Sequence, residues 1–158
     1  MAGNKKRTKA YRPMRSAGDV KLSTQPWRVA AVFGPLEAIL RQIEQDGTVT
    51  TDKQGMPIFK DSSDGHWYAT VPAVEGIVDA YATHATRCGR AMPLDSLRRL
   101  TNKLEYSSPL TLDDCAAVKR DLAVLRRETM SMTLAYASSL VTTTQLKIEL
   151  EQQERSAA

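Results

Sequence analysis

Cysteine, histidine and aromatic residues are all scarce in this 158-residue chain, which has two Cys, two His and 6% Phe, Trp and Tyr. Two cysteines as far apart as Cys88 and Cys115 make no disulfide framework, so a reducing cytoplasm is the expected compartment. His66, His84, Cys88 and Cys115 are the only soft donors, and neither CxxC nor HxxxH occurs. No metal and no cofactor are therefore expected, with both cysteines read as small core residues. Few aromatics leave the core to Leu, Val, Ile, Ala and Met, a mix better suited to packed helices than to a large β-sandwich.

Catalytic signatures are missing as well. There is no GxxxxGK[ST] phosphate loop, no GxGxxG turn and no Gly-rich elbow beside either cysteine. Asp61 and Asp64 in "DSSDG" are residue types that tight turns use to bond their own backbone, and they are read that way rather than as an acid and base. No enzyme is expected. No run of about twenty apolar residues exists, so no membrane span is expected either. The stretch "VAAVFGPLEAIL" starts about thirty residues in and is broken by Pro35 and Glu37, unlike a secretory signal.

What the chain does have is segregated charge. Residues 1–28 carry eight basic groups and one acidic, a balance of +7, which leaves the other 130 residues at −3 within a net charge of +4. Residues 1–25 lack apolar periodicity and cannot bury enough surface to offset the entropy of ordering. They read as a disordered or loosely docked basic arm in front of one globular domain, 26–158. Within the arm, Lys5, Lys6, Arg7, Lys9, Arg12 and Arg15 surround Tyr11, a composition suited to phosphate contacts and to stacking on a base.

The domain reads as α+β and mainly α-helical, with three or four helices and a small hairpin or three-stranded meander. From Pro26, Val29, Val32, Phe33, Leu36, Ile39, Leu40 and Ile43 share one helical stripe that ends at Asp46-Gly47. Gly34 and Pro35 predict a kink or a fresh start within it. Between 48 and 71, β-branched and aromatic runs alternate with Gly-containing turns, and Pro57 predicts an edge strand. Trp67 and Tyr68 are then expected on opposite faces, one core and one exposed. Pro72 suits the first turn of a second helix, with Val74, Ile77, Val78, Tyr81 and Cys88 on one side and Gly89 as its stop.

Leu94, Leu97, Leu100 and Leu104 mark a short third helix. Thr111 caps a long one, in which Cys115, Val118, Leu122, Leu125, Thr129, Met132 and Tyr136 form one heptad-like seam. Met130, Leu134, Ala137, Val141, Thr144 and Ile148 form a second, while the alternation after Thr142 leaves 142–150 open between helix and strand. A seam left uncovered would favour a homodimer through this helix. Lys119 with Arg126, and Arg120 with Arg127, share faces that are either a phosphate-facing stripe or, as favoured here, a solvated face of ion pairs.

The opening "KKRTKAYRP" resembles the start of small proteins encoded by phages and prophages of proteobacteria, over less than a tenth of the chain. The resemblance implies a setting inside a bacterial cytoplasm and no particular activity. The function expected is that of a non-enzymatic accessory or regulatory protein associating with nucleic acid through Lys5, Lys6, Arg7, Lys9, Tyr11, Arg12 and Arg15. The alternative is a protein-interaction or assembly module that uses the acidic helical body to bind a host or phage protein, or itself.

Overall fold

The computed structural model describes residues 17–61 and 64–157. They form five α-helices and a three-stranded antiparallel sheet, the α+β, mainly α-helical class expected. Two short 3₁₀ turns, Ala17–Asp19 and Leu22–Thr24, lead into α1, Pro26–Asp46. Pro26 stands at the first turn, where its missing N–H costs nothing, and Gly47 ends the helix at φ 73° with its N–H on the Ile43 carbonyl at 2.8 Å. α1 runs through Gly34-Pro35 without restarting. Val29, Phe33, Leu36, Ile39, Leu40 and Ile43 hold it there, since all six are buried, whereas Val32 is partly exposed.

Strands β1 (Thr50–Thr51), β2 (Pro57–Lys60) and β3 (Trp67–Ala69) follow as a meander in that order. Asp52 shapes the first turn, its Oδ1 accepting from the Gln54 and Met56 N–H groups at 2.9 Å each. The expectation of an edge strand at Pro57 is corrected, because β2 is the central strand. Pro57 is its first residue, opposite the last residue of β1, where a missing donor interrupts no continuing ladder.

β3 passes directly into α2, Thr70–Cys88, with Pro72 in the first turn and Gly89 closing it at φ 64°. α3, Asp95–Glu105, buries Leu97, Leu100 and Leu104. α4, Leu112–Met130, opens on a reciprocal capping box in which Asp114 N–H donates to Thr111 Oγ1 and Thr111 N–H to Asp114 Oδ2. Lys103 donates to the same carboxylate at 2.7 Å, and this bond holds the Asp114 carboxyl below its usual range.

The long helix expected from Thr111 onward is two helices. Leu22 N–H donates to the Met132 carbonyl and Leu134 N–H to the Val20 carbonyl, both at 2.9 Å, so residues 20–22 strap the chain at 131–133. Thr133 Oγ1 then accepts the Tyr136 N–H, as an N-cap does, and α5 runs from Leu134 to Ala157. Residues 142–150 are therefore helix. The first seam is spent inside the domain, with Cys115, Val118, Leu122, Leu125, Thr129 and Met132 all buried, and Leu140 and Thr144 bury α5. Among the described residues, no helix is long and apolar enough to cross a membrane.

Glu37 pairs with Arg126 and Glu44 with Lys119, which sets α1 antiparallel to α4. One end of the bundle thus gathers the start of α1, the ends of α2 and α4 and the start of α5. The chain enters the fold at that same end through its strap.

Candidate functional site

At this end, α2, α4 and α5 each contribute to a polar cluster. His84 and Cys88 lie one helical turn apart, so they face the same way, with Cys88 Sγ 3.5 Å from both ring nitrogens of His84. From α4, Glu128 Oε1 sits 2.9 Å from His84 Nε2 and also receives the Arg90 guanidinium. From α5, the Tyr136 hydroxyl lies 2.6 Å from His84 Nδ1, with its ring edge-on to the imidazole. The Arg87 guanidinium covers the Tyr136 ring at 5.5 Å and donates to Thr143 Oγ1 at 2.9 Å. His84 is buried, Glu128 is mostly covered, and Cys88 opens to solvent.

The core role expected of Cys88 is therefore corrected. It occupies the last turn of α2, just before Gly89, where the chain leaves the bundle and the residue stays exposed. His84 takes the buried position instead. Cys115 is buried as expected, and burial pushes its thiol upward. Below the cluster, the Tyr81 hydroxyl pairs with Thr129 Oγ1, which donates onward to the Leu125 carbonyl, so the hydrogen bonding continues into the core. Burial raises the Tyr81 phenol to about 12.

The His84 hydrogen bond, reinforced by Arg90, holds the Glu128 carboxyl below its usual value against the opposing effect of partial burial. A carboxyl depressed on folding stabilises the fold above its unfolded pKa, and that contribution disappears as pH falls through the lower folded value. Glu128→Gln should accordingly flatten the loss of stability between about pH 5 and pH 3 in an acid-unfolding series. Equal pH slopes for the two proteins would show that Glu128 carries no such linkage.

Sequence reasoning named His84 and Cys88 among four soft donors but missed Glu128 and Tyr136, which lie 44 and 52 residues from His84 along the chain. Only the adjacent seam residue Thr129 hinted that Glu128 would stand beside the core. The candidate nucleic-acid residues Lys5, Lys6, Arg7, Lys9, Tyr11, Arg12 and Arg15 lie outside the described residues. On α4, Lys119 and Arg126 are ion-paired with α1, and the Arg126 guanidinium sits 5.4 Å over the Phe33 ring. That half of the basic stripe is a paired face.

The aromatic expectation is also revised. Trp67 and Tyr68 are both exposed, at 53% and 44%, because β3 is an edge strand of a small sheet. Tyr68 still leans on Phe59 and donates its hydroxyl to Asp64, whose other oxygen accepts the His66 N–H at 2.8 Å. Asp64 thus serves the turn, as expected. An apolar cavity of about 450 Å³ opens beside Tyr68, lined also by Val32, Pro35, Pro72, Ala73 and Ile77 among others.

Comparison with protein-family models, curated proteins and solved structures gives no match to this chain.

Proposed function

We propose that the protein is a non-enzymatic accessory or regulatory protein, of the kind phages and prophages carry, that associates with nucleic acid through its basic start. The observation that carries this reading is where that start joins the fold. Residues 1–16 hold six basic groups and no acidic one, and the strap at 20–22 fastens them to the end of the bundle that presents Arg28, Arg87, Arg90 and Arg127. The described chain thus begins beside a region of exposed arginines, on a body whose residues 29–158 carry a net charge of −3. Such a region meets phosphates without reading sequence, and Tyr11 adds a surface on which a base can stack.

The test is binding of the full-length protein, and of a version lacking residues 1–16, to duplex and single-stranded DNA and RNA across a salt series. With six phosphate contacts, log affinity should fall against log salt with a slope of roughly −5 on duplex DNA, and both affinity and slope should collapse without the arm. Equal, weak binding by the two proteins overturns the reading. The second reading, a protein-interaction module, is favoured by α5 beyond Thr144. There Leu146 and Leu150, one turn apart, are 54% and 59% exposed on the face turned away from the bundle. A concentration-dependent increase in size that Leu146→Glu abolishes would support it.

A further inference from the structure

We infer that His84, Cys88 and Glu128 form a binding site for a divalent transition metal ion of the zinc class, a role separate from the nucleic-acid reading. Their donor atoms, an imidazole nitrogen, a thiol sulfur and a carboxylate oxygen, all lie within 4.8 Å of one another. Around a tetrahedral zinc ion, bond lengths of about 2.0–2.3 Å require an N···S separation of about 3.6 Å and an N···O separation of about 3.3 Å. The observed separations from His84 Nε2 are 3.5 Å to Cys88 Sγ and 2.9 Å to Glu128 Oε1. Because Cys88 Sγ is also 3.5 Å from Nδ1, it lies over the ring face, and a χ1 rotation of the exposed Cys88 side chain toward the Nε2 edge, with a small rotation of Glu128, brings the three donors around one ion.

The donor set suits this class of ion. Thiolate and imidazole together select zinc and its neighbours over magnesium and calcium, which prefer oxygen alone. Three protein ligands leave a fourth position, which the exposed Cys88 side turns toward solvent.

The surroundings serve a metal ligand as well. Without an ion, His84 Nε2 must carry a proton to bond the Glu128 carboxylate, and in the neutral ring Nδ1 then accepts the Tyr136 O–H. When an ion takes Nε2, the ring proton belongs on Nδ1, and the Tyr136 hydroxyl rotates to accept it. A hydroxyl can serve either tautomer, and a hydrogen bond from the remote nitrogen is the usual support of a metal-bound histidine. The ion replaces the proton shared by His84 and Glu128, and the thiol releases its own proton as it becomes a ligand. Arg90, exposed and bonded to Glu128, is the cation that an incoming metal displaces.

The site was hidden from the sequence because its third ligand is a carboxylate from a helix 40 residues beyond Cys88, whereas the expected zinc patterns pair cysteines and histidines at short spacings.

The experiment uses the tag-free, full-length protein, stripped with a chelator and titrated with Co²⁺ and then Zn²⁺. One Co²⁺ per chain should bind with a thiolate-to-cobalt charge-transfer band, and Zn²⁺ should displace it. Cys88→Ser, at an exposed position that does not threaten folding, should abolish the band. Glu128→Gln should weaken binding at least tenfold, and Arg90→Ala should tighten it severalfold. Retention of the band in Cys88→Ser, no tightening in Arg90→Ala, or no binding by the stripped wild type at tenfold excess of either ion overturns the proposal.

Discussion

Phe33→Ala should cost about 3–5 kcal/mol, the range for removing a fully buried aromatic ring. Phe33 has 0% of its surface exposed, and it lies between three helices rather than two. Its ring packs on Tyr81 of α2 with centroids 6.2 Å apart, and Arg126 of α4 lays its guanidinium over it at 5.4 Å. Shrinking it leaves a void that α1 cannot fill by sliding, because Glu37–Arg126 and Glu44–Lys119 fix its register on α4. Against a total stability of roughly 5–15 kcal/mol for a domain, this loss is large, and the melting temperature should drop by roughly 6–20 °C. Chemical denaturation measures it, with Phe33→Leu as the milder control. A loss below about 1 kcal/mol would mean that α1 does not rest on this ring.

The same substitution bears on the polar cluster. Tyr81 leans on Phe33, and its hydroxyl pairs with Thr129, the residue after Glu128. Loosening Tyr81 frees the last turn of α4 and with it the Glu128 carboxylate. Phe33→Ala should therefore weaken Co²⁺ binding while touching none of the ligands.

Helix periodicity, capping residues and glycine stops made most of this architecture legible from the residues. The stripe from Val29 to Ile43, the Thr111 cap and the stops at Gly47 and Gly89 are local signals, and local hydrogen bonding realises them. What was illegible depended on contacts distant in sequence. Nothing in "ETMSMTLAY" breaks a helix by itself, and the break at 131–133 exists because Val20 and Leu22 arrive from more than a hundred residues away to bond its backbone. Pro57 was misplaced for a similar reason, since strand order is not a property of the strand's own sequence. The cluster followed the same rule. The α2 spacing showed that His84 and Cys88 face one way, but Glu128 and Tyr136 reach them only once three helices have packed.

The strap yields the second large effect. Removing residues 1–16, which lack the apolar periodicity needed to bury surface, should leave stability within about 0.5 kcal/mol of the full chain. Removing residues 1–25 deletes buried Leu22 together with the two backbone bonds that join residues 20–22 to 132–134. Loss of a buried leucine costs about 2–5 kcal/mol, and each orphaned backbone group adds to it. Beyond the energy, the α4–α5 junction loses the partner that ends one helix and starts the next, so Tyr136 should lose its fixed place beside His84. The longer truncation should then melt earlier, show weakened hydrogen-exchange protection at 131–136 and bind Co²⁺ poorly, all without any change to a ligand. If both truncations melt alike, the strap is not part of the fold's stability, and the fold proper would begin at residue 26. If they differ as expected, only the shorter truncation separates the basic arm from the body. A loss of nucleic-acid binding in that shorter version then reflects missing cations and Tyr11 rather than a damaged bundle.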